Sequence, residues 1–239
     1  MAIESRWVEY THNGTLLEGY LAWDTAVQGK RPAVLVAHPW AGRGTFTEEK
    51  ARLLAEAGYV GFALDMYGKG VVGTTTEECS ALMSQQLADR KALQGRMLAA
   101  LATVRQQAEV DAGQVAAIGY CFGGLCVLDL VRSGEAFAGA ISFHGLLGAP
   151  EHPTHTVNAP VLILHGYDDP LAPPEQLERV QQELSAAKAD WQVHAFGGVM
   201  HAFTNPAANN PDGGMVYHGR SDERSWRLAM DFLREVLAE

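Results

Sequence analysis

The chain of 239 residues is long enough to bury a core of its own, and 47% apolar residues without low-complexity tracts mark an ordinary globular protein. No apolar run reaches bilayer-spanning length, and a formal charge of −10 with acids spread along the chain argues against nucleic acid or an anionic membrane as partner. The first residues lack the basic-then-apolar order of a signal peptide, and three Cys give no disulfide framework. A cytoplasmic, reducing location is therefore expected.

Val8 to His12 and Leu16 to Trp23 flank Asn13-Gly14, a two-residue turn signal that predicts an N-terminal β-hairpin. Strands and helices then alternate. Ala33 to Ala37 reads as a strand, Thr47 as the cap of a helix ending near Gly58, and Tyr59 to Leu64 as the next strand. Thr76 is read as capping a further helix, and Lys91 to Gln107 as a long one. Val115 to Ile118 is a strand and Phe122 to Val131 the helix after it. The remaining strands fall at Ala138 to Phe143, Val161 to Leu164 and Trp191 to Phe196. Helices are expected over Pro174 to Lys188 and, capped by Ser221, over Asp222 to Leu237. Such alternation implies right-handed crossovers, hence an α/β fold with a mostly parallel central sheet flanked by helices. No repeat or linker is visible, so one domain is expected, with residues 67–94 as a lid segment.

The most informative stretch is Gly119-Tyr120-Cys121-Phe122-Gly123, which closes an apolar strand and opens a helix. It has the Gly-x-nucleophile-x-Gly spacing of the α/β-hydrolase elbow, with Cys121 in the nucleophile's place. A buried Cys in a Gly-rich turn would look the same over these five residues, so partners must be sought elsewhere. In doubly wound sheets they lie beyond the carboxyl ends of strands. Val161 to Leu164 ends in His165-Gly166-Tyr167-Asp168-Asp169-Pro170, and Ala195-Phe196 leads through Gly197 and Met200 to His201. The order nucleophile, acid, base follows. His201 would take the Cys121 proton, and an Asp would fix its tautomer. Asp169, before a turn into a helix, is favoured as the acid over Asp168, whose alternative is a turn or surface carboxylate.

The loop His38-Pro39-Trp40 follows the first core strand, where this fold supplies an oxyanion donor. Pro39 has no N–H, so the Trp40 amide is the candidate, paired with that of Phe122 at the helix start. His38 and Asn205 are the candidate substrate contacts. His12, His194 and His218 read as surface or strand positions, while His144 and His165 end strands and are expected to bond backbone there. His152 and His155 have no acidic or Cys partner at ligand spacing, so no metal is expected. Cys126 reads as core, and Cys79 as packing in the lid segment.

On the elbow, on residues 165–170 and on residues 197–203, the chain resembles the dienelactone hydrolase family over almost its whole length. The resemblance implies an α/β-hydrolase fold, a Cys-His-Asp triad of Cys121, His201 and Asp169, and no metal or organic cofactor. It implies a small-molecule ester or lactone substrate and a monomer or small homo-oligomer. Two positions depart from the namesake pattern. Pro39 stands where the namesake has a Glu that helps form the thiolate. Asn205 stands where it has an Arg that holds the substrate carboxylate, which points away from an anionic substrate. Two other readings share these residues: a hydrolase-like binding protein without turnover, and a thioesterase or peptidase using the same triad.

Overall fold

The computed structural model describes residues 2–151 and 156–237, so His152 and His155 lie outside the described residues. The eight longer strands form a mostly parallel sheet with helices between them, and the chain divides into two compact units, residues 1–118 and 119–239.

The first unit opens with β1 (Ile3–His12) and β2 (Thr15–Asp24), paired antiparallel over their full length. Asn13 and Gly14 take φ of 46° and 77°, the left-handed pair that matches the twist of the flanking strands. The apolar runs that follow become β3 (Arg31–Ala37) and β4 (Val60–Ala63), joined by α1 (Thr45–Glu56). β4 pairs parallel with β3 and antiparallel with β2, so the hairpin extends the sheet at its edge. Next come α2 (Thr76–Leu87), α3 (Arg90–Arg105) and β5 (Val110–Tyr120), which runs on into the second unit. The strand order here is β1-β2-β4-β3-β5. Ala33 to Ala37 and Val60 to Ala63 are wholly buried, as both-face-covered parallel strands require.

The expected caps are displaced. α1 is capped by Gly44, and Thr47 sits at the third helical position, where its hydroxyl donates to Gly44 O at 3.0 Å. α2 is capped by Thr75, whose Oγ1 accepts from Glu78 N at 3.2 Å while the Glu78 carboxylate reaches back to Thr75 N. A hydroxyl suits either end of a capping box, so its residue type alone does not fix the register. The segment expected as a lid is tied to the loop after β3: Gly73 N donates to Ala41 O at 2.8 Å, and Tyr67 OH to Trp40 O at 2.8 Å.

In the second unit, β6 (Gly139–Phe143), β7 (Val161–Gly166) and β8 (Trp191–Phe196) are parallel neighbours in that order. α4 (Phe122–Arg132) is buried at every position, the mark of a core helix. α5 (Pro174–Ala186) is tied to it by Arg132, which holds Asp129 at 3.1 Å and clamps Glu183 through two nitrogens at 2.8 and 2.9 Å. The last helix is α6 (Gly219–Val236), capped by His218 with Ser221 at its third position. Two short strands that the sequence pattern does not reveal, β9 (Asn209–Asn210) and β10 (Met215–Val216), form a small antiparallel ribbon.

Candidate active site

β5 ends at Tyr120 and α4 begins at Phe122, leaving Cys121 alone on the turn. Its backbone stands at φ 56° and ψ −117°, far from the regions an L-residue prefers. Such a conformation costs about 1–3 kcal/mol and persists only where the surroundings impose it. They do so here: Cys121 N donates to Phe143 O at 3.1 Å, and Cys121 O accepts from Gly124 N at 3.0 Å. The turn is tight enough that a Cβ at Gly119 would lie 2.1 Å from Gly123 O. At Gly124 a Cβ would lie 2.7 Å from Gly145 Cα, so the helix start packs backbone to backbone on the segment after β6. Cys121 is partly exposed, whereas Cys79 and Cys126 are buried.

Asp169 and His201 meet in the same unit. His201 Nδ1 lies 2.7 Å from Asp169 Oδ2, and both residues are 1% exposed. The other carboxylate oxygen of Asp169 accepts from Leu171 N at 2.8 Å and Ala172 N at 3.2 Å. The turn into α5 therefore fixes the carboxylate, and a carboxylate so bonded fixes the Nδ1–H tautomer of His201. Asp168 is exposed, and its backbone N donates to Val199 O at 3.0 Å. His201 Nε2 is buried and makes no hydrogen bond of good geometry among the described residues; Cys121 is its electrostatic neighbour. The His201 main chain is held too, its N donating to Gly214 O at 2.9 Å and its O accepting from Val216 N at 3.0 Å. Burial opposes charge on the ring, but the Cys121 sulfur and the Asp169 carboxylate outweigh it and raise the His201 pKa to about 10.

His38 is fully buried; its Nε2 accepts from Met66 N at 3.1 Å and its Nδ1 faces Pro39 O at 2.7 Å. Burial pushes its pKa down to about 4, so it is neutral, and both ring nitrogens face backbone groups. Trp40 is half-buried and uses its carbonyl to hold Tyr67 OH. Phe122 is buried at the first position of α4. Asn205 is exposed and forms a turn, its Oδ1 accepting from Ala207 N at 3.0 Å.

The two strand-end histidines meet different partners. His144 reaches a side chain, with Nε2 2.8 Å from Thr204 Oγ1. His165 is fully buried, and the Ala172 backbone is its hydrogen-bonding neighbour. Burial lowers its pKa, with Asp169 and His201 as its charged neighbours. The position of each after an apolar strand was the available signal, but sequence does not say which way the ring turns. Among the described residues no group of three or more His, Cys, Asp or Glu is arranged to hold a metal ion, and no helix is long and apolar enough to cross a membrane.

A mostly parallel sheet with crossover helices, a strained residue between strand and helix, and an Asp–His pair after later strands define the α/β-hydrolase class. The chain belongs to the dienelactone hydrolase family, a family of hydrolases whose model matches residues 17–237. A solved structure named m3DLH is 36% identical, with a TM-score of 0.94 and 99% of each chain covered. A dienelactone hydrolase-like promiscuous phosphotriesterase from metagenomic libraries is 35% identical, also with a TM-score of 0.94 and 99% of each chain covered. A Bradyrhizobium protein described as a probable 2-oxo-3-(5-oxofuran-2-ylidene)propanoate lactonase is 28% identical over 95% of this chain and 93% of its own.

Proposed function

We propose that the protein hydrolyses carboxylic esters or lactones through an acyl-enzyme on Cys121. The observation that carries this reading is the buried Asp169–His201 hydrogen bond of 2.7 Å, with Nε2 turned to a Cys on a strained strand-to-helix turn. The raised His201 pKa favours imidazolium, the proton donor the reaction needs beside the Cys121 sulfur, and the thiolate is the proposed nucleophile. This route needs no activating carboxylate at the position of Pro39. Attack of the thiolate on the carbonyl gives a tetrahedral oxyanion at the start of α4. The Phe122 N–H and the helix's positive end are its proposed stabilisers, and Trp40 is the donor the sequence offers as the second. His201 then protonates the leaving alkoxide and afterwards takes a proton from the water that cleaves the thioester.

Substrate charge tests the reading. The namesake family's carboxylate-holding Arg is replaced by exposed Asn205, and the chain carries a net charge of −10. A neutral short ester or lactone is expected to give a higher kcat/KM than its carboxylate-bearing analogue, with Asn205→Arg narrowing the gap. A panel of matched pairs at low and moderate salt decides it, and a wild-type preference for the anionic members returns dienelactone-type substrates to the front. Ester, thioester, peptide and phosphotriester arms in the panel separate the neighbouring chemistries, and turnover of none would favour a binding protein.

The pH profile is a second check. The pKa of His201 is raised from its ordinary 6.5 to about 10, so the ring keeps its proton through neutrality. The stability this proton contributes is complete below about pH 6.5 and is lost as pH rises through about 10. Thiolate paired with imidazolium is the attacking form, so kcat/KM is expected to fall on an alkaline limb near pH 10. A rising limb near 6.5 without that fall would instead mean a neutral His201 acting as base on a thiol.

A further inference from the structure

We propose that His144 is a positioning residue for His201: its ring, tied to Thr204, braces the imidazole that serves Cys121. The inference rests on the function proposed above. His144 follows the last residue of β6, and its N–H donates to Leu164 O at 2.8 Å, which fixes its backbone beside β7. It stands at φ 37°, a left-handed conformation that Gly adopts freely and that is uncommon for any other residue. What a ring buried at such a position, 2% exposed, can do follows from what it touches. It touches the His201 segment three times. The two imidazoles meet edge to face, centroids 5.1 Å apart and planes at 67°. Phe203 meets the same ring at 5.2 Å and 76°, and Thr204 Oγ1 lies 2.8 Å from its Nε2.

These contacts supply what the Asp169 bond leaves open. One hydrogen bond at Nδ1 sets the tautomer of His201 but permits the ring to rock about that bond. Nε2 has to face the sulfur, then the leaving oxygen, then water, all within a narrow range of angles. A buried aromatic wall on the ring's flank limits the rocking, and Thr204, three residues beyond His201, locks that wall to the turn it braces. The groups facing His201 are then Cys121 on its Nε2 side, Asp169 at Nδ1, His165 as a second buried imidazole, and His144 on the flank.

The test compares His144→Ala, His144→Phe and His144→Gln in the full chain. Phe keeps the ring wall and loses the bond to Thr204; Gln keeps a group able to reach Thr204 and loses the ring. His144→Ala is expected to lower kcat about tenfold to a hundredfold with KM little changed. Phe is expected to stay within about fivefold of wild type, the scale of one lost hydrogen bond, and Gln to resemble Ala. The far-downfield proton resonance of the His201 Nδ1–H gives a readout independent of substrate: present in wild type and Phe, broadened or absent in Ala and Gln. If Ala does not fold, the ranking of Phe over Gln in kcat and resonance decides alone. The proposal is overturned if Ala or Gln keeps wild-type kcat and resonance, or if Phe fails to restore them. Failure of the function itself shows separately, as turnover that survives Cys121→Ala while the resonance still ranks the His144 variants.

Discussion

Replacing Cys121 by Ala is expected to lower kcat/KM at least about 10⁴-fold, or roughly 5.5 kcal/mol of transition-state stabilisation, while leaving the fold in place. Ala retains a Cβ, so the backbone strain at φ 56° persists and thermal stability changes little. The loss then belongs to the sulfur and not to the turn. Iodoacetamide gives the chemical counterpart. It should label partly exposed Cys121 well ahead of buried Cys79 and Cys126, and labelling and inactivation should run in parallel. Burial further raises the pKa of Cys79 and keeps it a thiol. Residual turnover in Cys121→Ser would leave the mechanism standing, since a hydroxyl can be activated by the same base. Near-wild-type turnover in Cys121→Ala would end it.

Asp169→Asn is the second large effect, about 10³–10⁴-fold in kcat. The carboxylate accepts on both oxygens, from His201 Nδ1 on one side and from the Leu171 and Ala172 amides on the other. An Asn must give up one of these. If its oxygen stays with the amides, its NH₂ faces Nδ1 and imposes the opposite tautomer, turning a protonated Nε2 towards the sulfur. The same change removes one of the groups that raise the His201 pKa, so the alkaline limb should move down from about 10. Asp168→Asn, at an exposed carboxylate, should leave kcat near wild type. Reversal of that ranking would reassign the acid.

The sheet and the order of its elements were legible because each element carries a local signature. Asn13-Gly14 admits few conformations other than a hairpin turn, and the apolar runs ending at Ala37, Tyr120, Phe143 and Gly166 are too short and too β-branched for helices. The Gly119–Gly123 spacing is legible for the same reason, since a Cβ at Gly119 has no room. Less was legible where the deciding contact is distant in sequence. His38 stands beside the predicted oxyanion loop, yet both its nitrogens are taken by backbone, one of them by Met66 in a later strand's exit. His144 bonds Thr204, sixty residues on, a pairing that no periodicity encodes. The helix caps slipped by one to three residues because Thr and Ser suit both the cap and the third position of a capping box. The ribbon of β9 and β10 is too short to have a period at all.

That ribbon bears on how the protein can diversify. The main chain of His201 is held by Gly214 and Val216 through amide-to-carbonyl bonds, which any residue with an N–H can make. Residues 205–213, between His201 and Gly214, are largely exposed. Their side chains can drift, and with them whatever they contribute to molecular recognition, without a toll on the placement of the base. The constraint inherited by descendants is narrow: no Pro at 201 or 216, where the amide hydrogens are needed, and Gly at 214, where φ is 71° and a Cβ would lie 2.1 Å from Pro170 Cγ. A lineage built this way can trade one clientele of molecules for another while the proton-handling apparatus stays as it was.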